Sequence, residues 1–185
     1  MEGTERWRRR PLPEDLAGHY RAEGWWTDET LGTMVADGLA DLGHTEFHVR
    51  SKVHPWDGTF ADVDRAARSL ATSLKAKGVG PGSVVVLQLP NWVEAGIAFW
   101  AAAYLGAVVV PVVHFYGPKE VDYILGATTP DVVVTADRFG HVDHLANYEG
   151  LLAGRPGPRW LVAGETPATG LPVGAEAFAS LLDAD

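Results

Sequence analysis

Ser83-Val84-Val85-Val86-Leu87-Gln88-Leu89, then a helical stretch from Asn91 to Leu105, then Ala107-Val108-Val109-Val110-Pro111-Val112-Val113: this passage decides the fold. Both apolar runs are continuous rather than alternating, which marks strands covered on both faces. The spacer is long enough for the helical crossover that parallel strands require. The same grammar returns downstream. A helix is expected from Pro118, a run at Asp131 to Thr135, a helix near His141 to Leu152 and a run at Arg159 to Val162. The reading is α/β: a parallel βα-repeat sheet flanked by helices.

The helix between the first two runs has its own start and stop signals. Asn91 suits an N-cap, Glu94 three positions on suits a capping box, and Gly106 suits a C-terminal stop. After Glu94 no polar face remains through Val93, Ala95, Ile97 to Leu105. A helix apolar all round is normally buried all round, so an oligomer contact or further polypeptide is expected to cover it.

Upstream, Phe60, Val63, Ala67, Leu70 and Leu74 recur at helical spacing, Asp64 and Arg68 sit one turn apart, and Gly78 ends the pattern. Before it, Thr45 to Val49 and Gly58 to Phe60 read as a hairpin around His54-Pro55-Trp56-Asp57-Gly58. Two amphipathic helices precede that, one from Pro13 to Gly24 and one capped by Thr30 and closed by Gly43. These signals divide the chain into residues 1–57, helices and edge hairpin, and 58–185, the parallel α/β part.

Composition narrows the function. In 185 residues, 24 Asp and Glu against 15 Lys and Arg leave a net charge of -9, which argues against nucleic acid as a partner. With 46% apolar and 21% charged residues a packed core is expected. No cysteine is present, so a disulfide framework, a thiolate metal site and a thiol nucleophile are all excluded. The arginine run Arg8-Arg9-Arg10 leads into polar, Pro-containing sequence rather than an apolar export signal. The apolar region 92–113 is interrupted by Glu94, Gly96, Gly106 and Pro111, so no transmembrane segment is expected. The protein is expected to be soluble and cytoplasmic.

Gly78-Val79-Gly80-Pro81-Gly82 follows a helix and precedes a strand, the reverse of a phosphate-binding loop, and is read as an αβ turn. Neither G-x-x-x-x-G-K-[ST] nor G-x-S-x-G occurs. His141 and His144, with Asp137 and Asp143, could be proposed as metal ligands, but solvated surface histidines are the expected reading. His44, His48 and His54 share no evident focus. In open parallel sheets ligands bind beyond the carboxyl ends of the strands, which singles out Pro90-Asn91, Pro111 to Gly117 and Thr135-Ala136-Asp137. Of these, His114, Phe115 and Tyr116 suit an apolar substrate wall, or else pack against a neighbouring element.

Gly58-Thr59-Phe60-Ala61-Asp62-Val63, Leu70 to Leu74, Gly78 to Val86, Leu89-Pro90-Asn91 with Glu94, and Ala103-Tyr104-Leu105-Gly106-Ala107 to Pro111 together resemble the opening of acyl-CoA synthetases. These are AMP-forming acid–CoA ligases of the adenylate-forming superfamily. The likeness is closest over residues 58–136, and Tyr20 to Leu31 looks like the approach in aryl- and alicyclic-acid ligases.

The resemblance implies the N-terminal portion of an adenylate-forming fold. It also implies a reaction in which ATP and a small carboxylic acid give an acyl-adenylate and pyrophosphate, Mg2+ assists, and the acyl group passes to coenzyme A. The family's Ser/Thr/Gly-rich loop ending in Pro-Lys-Gly, its nucleoside-binding segments and its C-terminal lysine have no counterpart here. A fragment is therefore expected, truncated from a longer ligase whose remaining chain is its partner. It carries no catalytic residue or metal ligand and does not bind ATP, Mg2+ or coenzyme A tightly. Fatty acid metabolism is the implied setting, but His114-Phe115-Tyr116 stands where fatty-acid-preferring relatives more often carry Asn-Pro, which favours a cyclic or short acid. The alternatives are a stand-alone, non-catalytic interaction module using the Ala/Trp/Tyr helix as its surface, and a small α/β nucleotide binder of another kind.

Overall fold

The computed structural model describes residues 12–153, 155, 157–165 and 170–183. The arginine run at 8–10 lies outside them. Backbone contacts divide the chain into two compact units, residues 1–30 and 31–185; the sequence division at 57 and 58 instead marks off the N-terminal helices and edge hairpin from the parallel α/β part. In the first unit, helix α1 (Glu14–Ala22) ends at Gly24, whose φ of 73° favours glycine. The chain then folds back so that the Trp25 and Trp26 amides both donate to the Tyr20 carbonyl.

The second unit opens with α2 (Leu31–Leu42) and the antiparallel hairpin β1 (Glu46–Val49) and β2 (Trp56–Thr59). β2 starts two residues earlier than the sequence suggested. Gly58 allows this, because the Trp56 indole lies where a Cβ at 58 would sit, 2.4 Å away. Helix α3 (Phe60–Ala76) follows directly, with a capping box in which Thr59 and Asp62 satisfy each other's backbone amides. Its buried stripe, Val63, Ala67, Leu70, Ala71 and Leu74, contains four of the five residues read from the periodicity; Phe60, at the first helical position, is half-buried.

Next come β3 (Val84–Gln88), α4 (Val93–Tyr104), β4 (Val108–Pro111), α5 (Pro118–Thr128) and β5 (Val132–Ala136). They are followed by the short antiparallel pair β6 (Arg138–Phe139) and β7 (Val142–Asp143), then α6 (His144–Leu152), β8 (Arg159–Ala163) and β9 (Ala175–Ala177). A 3-10 turn at Phe178–Leu181 ends the described elements. The five-stranded sheet runs β4-β3-β5-β8-β9 with every neighbouring pair parallel. One apolar layer, including Leu70, Ile97, Val85, Leu87 and Leu161, lies on the α3–α4 face; the other, including Val86, Val133, Tyr148 and Trp160, lies on the α5–α6 face. Central β3 and β5 are buried throughout. On edge strand β4, Val108 and Val112 donate inward to Ser83 and Leu87, so Pro111 points outward where it interrupts no bond.

Two expectations for α4 are corrected. Its N-cap position is Trp92, without a side-chain cap, and Asn91 is exposed. Glu94 does not close a capping box, because its carboxylate is engaged 2.8 Å from His54 Nε2, a tertiary contact that replaces the local one. Nor does the helix need an outside cover. Every residue from Val93 to Tyr104 is buried or half-buried, with α2 and α3 packed against it. Gly32 makes the approach of α2 possible, since a Cβ there would fall 2.6 Å from the Ala103 carbonyl oxygen.

Candidate functional site

The carboxyl ends of β3, β4, β5 and β8 form one rim. The structure brings together there residues that the sequence placed separately. β4 runs into a tight turn closed by the Tyr116 amide donating to the Val113 carbonyl at 3.0 Å, with His114 and Phe115 at its tip. Phe115 is 64% exposed and Tyr116 38%, whereas His114 is half-buried. The turn is held from below by Gln88, the last residue of β3, whose Nε2 donates to the carbonyls of Val113 and Tyr116 at 3.0 and 3.1 Å.

A line of ring contacts crosses the rim. His54 stands 4.4 Å from Trp92 between ring centroids, Trp92 6.1 Å from Phe139, Phe139 5.0 Å from His114, and His114 5.3 Å from Phe115. The His54–Glu94 contact fixes one end of the line to α4. A cavity of about 350 Å3 opens beside it, lined by Val53, His54, Trp92, Asp137, Phe139 and Glu165 among others. Sequence reading missed His54, Trp92, Phe139 and Gln88. Only Gln88 left a signal, as an amide inside a run otherwise made of Val and Leu.

Asp137 directly follows β5 and ties the rim together. Its amide donates to Ala163, its carbonyl accepts from His144 and Leu145, and its carboxylate accepts from the Arg138 amide. Of the two histidines read as surface groups, His141 is exposed but His144 is fully buried. Its position one helical turn before buried Tyr148 turns both onto the sheet side of α6. Among the described residues neither His144 ring nitrogen has a hydrogen-bond partner. Burial, and secondarily the neighbouring His114, lower its pKa below the usual 6.5, while Asp137 and Asp143 oppose the shift. Between the ordinary and the folded value the unfolded chain binds a proton that the folded chain refuses. Stability therefore falls as pH drops through about 6.5, and the loss ends near the lower folded value. Urea midpoints of wild type and His144→Phe measured from about pH 7.5 to about pH 5.5 should show the smaller decline in the variant; equal declines would remove His144 as the source.

The N-termini of the helices that open onto the rim carry acidic groups of this chain: Glu94 in the first turn of α4, Glu120 in that of α5, and Asp143 capping α6. Of these, Glu94 is engaged by His54 and Asp143 by the Ala146 amide. Among the described residues no group of three or more His, Cys, Asp or Glu side chains could hold a metal ion.

Comparison with known proteins places this architecture. A family model described as AMP-binding enzyme matches residues 49–172. The chain belongs to the AMP-binding enzyme family. Its relatives in that family include the salicyl-AMP ligase / salicyl-S-ArCP synthetase of Mycobacterium tuberculosis, 28% identical over 166 residues, covering 85% of this chain and 28% of the relative. Another is 4-coumarate–CoA ligase 5 of Oryza sativa subsp. japonica, 41% identical over 81 residues, covering 44% of this chain and 15% of the relative. Among solved structures, apo MbtA of Mycobacterium smegmatis superposes with a TM-score of 0.76 at 25% identity, covering 95% of this chain and 31% of that one. The chain thus spans less than a third of the length of each of these AMP-binding relatives. The parallel sheet with flanking helices is the adenylate-forming fold expected from the sequence. Among the described residues no helix is long and apolar enough to cross a membrane.

Proposed function

We propose that this chain is a scaffold portion of an ATP-dependent ligase that adenylates a carboxylic acid and passes the acyl group to coenzyme A, and that these 185 residues alone do not carry out either step. The observation that carries the reading is the family match over residues 49–172 in a chain that spans less than a third of the length of its relatives. The remainder of the ligase would supply the triphosphate and Mg2+ contacts. The acid is aromatic. This is supported by relatives named for salicylate, 2,3-dihydroxybenzoate and 4-coumarate, and by the ring-rich His114-Phe115-Tyr116 turn. In this reading that turn forms a wall of the acyl channel, and the enzyme works on aryl acids in the cytoplasm rather than in fatty acid metabolism.

The binding half of the proposal is open to titration calorimetry. Adding ATP with Mg2+, and separately coenzyme A, to the 185-residue chain should give no saturable heat below about 1 mM ligand. A micromolar isotherm with either would show that the chain possesses a nucleotide cradle and would overturn the scaffold reading.

A further inference from the structure

The tip of the β4–α5 turn exposes Phe115 and Tyr116, yet its base is held by one buried side chain. Gln88 is 1% exposed, and its amide nitrogen reaches two carbonyls of the same turn, Val113 at its first position and Tyr116 at its last. A carboxamide is the neutral group of this size that offers two hydrogens from one nitrogen. Glutamate of the same length presents oxygens to those carbonyls, and methionine presents no donor. The two acceptors also fix which end of the amide faces the turn.

We propose that Gln88 is the positioning residue of the rim: it clamps both ends of the Val113–Tyr116 turn to the end of the central strand and so sets where His114 and Phe115 project. The Val113 carbonyl accepts from both Gln88 and the Tyr116 amide, one on each lone pair, so the clamp and the turn closure meet at the same acceptor. The ring contact of His114 with Phe139 then follows from the clamp, because His114 sits one residue beyond a pinned carbonyl. The consequence for substrate selection rests on the proposed acyl channel; the clamp itself does not.

The test is made on the 185-residue chain by NMR, without substrate. In the unmodified protein, through-hydrogen-bond couplings should connect Gln88 Nε2 to the carbonyl carbons of Val113 and Tyr116. Their absence from a well-folded sample overturns the proposal without any variant. In Gln88→Met, which keeps length and apolar packing, hydrogen exchange at the Tyr116 amide should accelerate about thirtyfold, the scale of two lost net hydrogen bonds. The amides of Val85 to Leu87 should keep their wild-type rates, and the His114 ring protons should lose the shift imposed by Phe139. A general loss of stability would instead accelerate strand and turn together, and that pattern, or unchanged exchange at Tyr116, refutes the positioning role. A clamp that passes while aryl acids prove not to be substrates would leave Gln88 in place and discard only the channel.

Discussion

Replacing Leu70 by alanine is expected to destabilise the protein by about 3–4 kcal/mol, the largest single effect among the variants considered. Leu70 lies at the centre of the buried stripe of α3 with no exposed surface, inside the layer that also holds Ile97, Leu161 and Val85. Removing its branched end loses the transfer free energy of about three carbons, at about 0.8 kcal/mol each. It also leaves a void that the neighbours cannot fill. Helix α4, which packs against α3, buries Ala98, Ala101 and Ala102 in the same layer, side chains with no rotamer that could refill lost space. A urea midpoint reduced at unchanged slope would report this cost. A loss under about 1 kcal/mol would mean that α3 and α4 are not packed as described.

The second large effect has a sign that separates two explanations. Gly32→Ala places a better helix former inside α2, and propensity alone would stabilise by about 1 kcal/mol. Packing demands the opposite. The new methyl would lie 2.6 Å from the Ala103 carbonyl oxygen and 3.3 Å from its carbon, both backbone atoms in the last turn of α4. Neither can rotate away, so α2 must lift from α4 and uncover part of the apolar helix it shields. The net expectation is destabilisation by about 1–2 kcal/mol, with increased exposure of Trp100 fluorescence to quenchers. A more stable variant would show that α2 does not seal α4.

The central sheet was legible in the sequence because strands covered on both faces leave no polar positions, and Val84 to Leu87 and Val132 to Val134 have none. Helix α3 was legible because one of its faces stays wet. What was not legible depended on contacts distant in the chain. Glu94 reads as half of a capping box until the hairpin loop delivers His54, forty positions away, to its carboxylate. The β6–β7 pair is two residues per strand, and Asp143 delays the start of α6 by capping His144 onward, with its side chain accepting from the Ala146 amide. β9 is Ala-Glu-Ala, too short and too small to stand out, and is joined to β8 partly through Glu176 and Arg159. His144 looked like a surface group because its neighbours His141 and Asp143 are polar; only the turn of α6 that also buries Tyr148 turns it inward. Of the candidate site, the turn at 114–116 was found from its place after a strand. The rings that extend it, and the amide that holds it, come from other elements.

Asp64 illustrates the same limit. Its pairing with Arg68 was readable from spacing, at 2.9 Å in the structure. The Tyr104 hydroxyl that also donates to it, from α4, was not. Burial and this bond to a carboxylate hold the Tyr104 phenol protonated well above its usual range.

The most direct measurement is acid-dependent exchange of labelled pyrophosphate into ATP by the purified 185-residue chain, with salicylate, 4-coumarate and a medium-chain fatty acid offered in turn with Mg2+. The scaffold account predicts exchange no faster than the no-protein blank for all three. Sustained exchange with any of them would mean that the acyl-adenylate is made on this chain alone, and the account would be wrong.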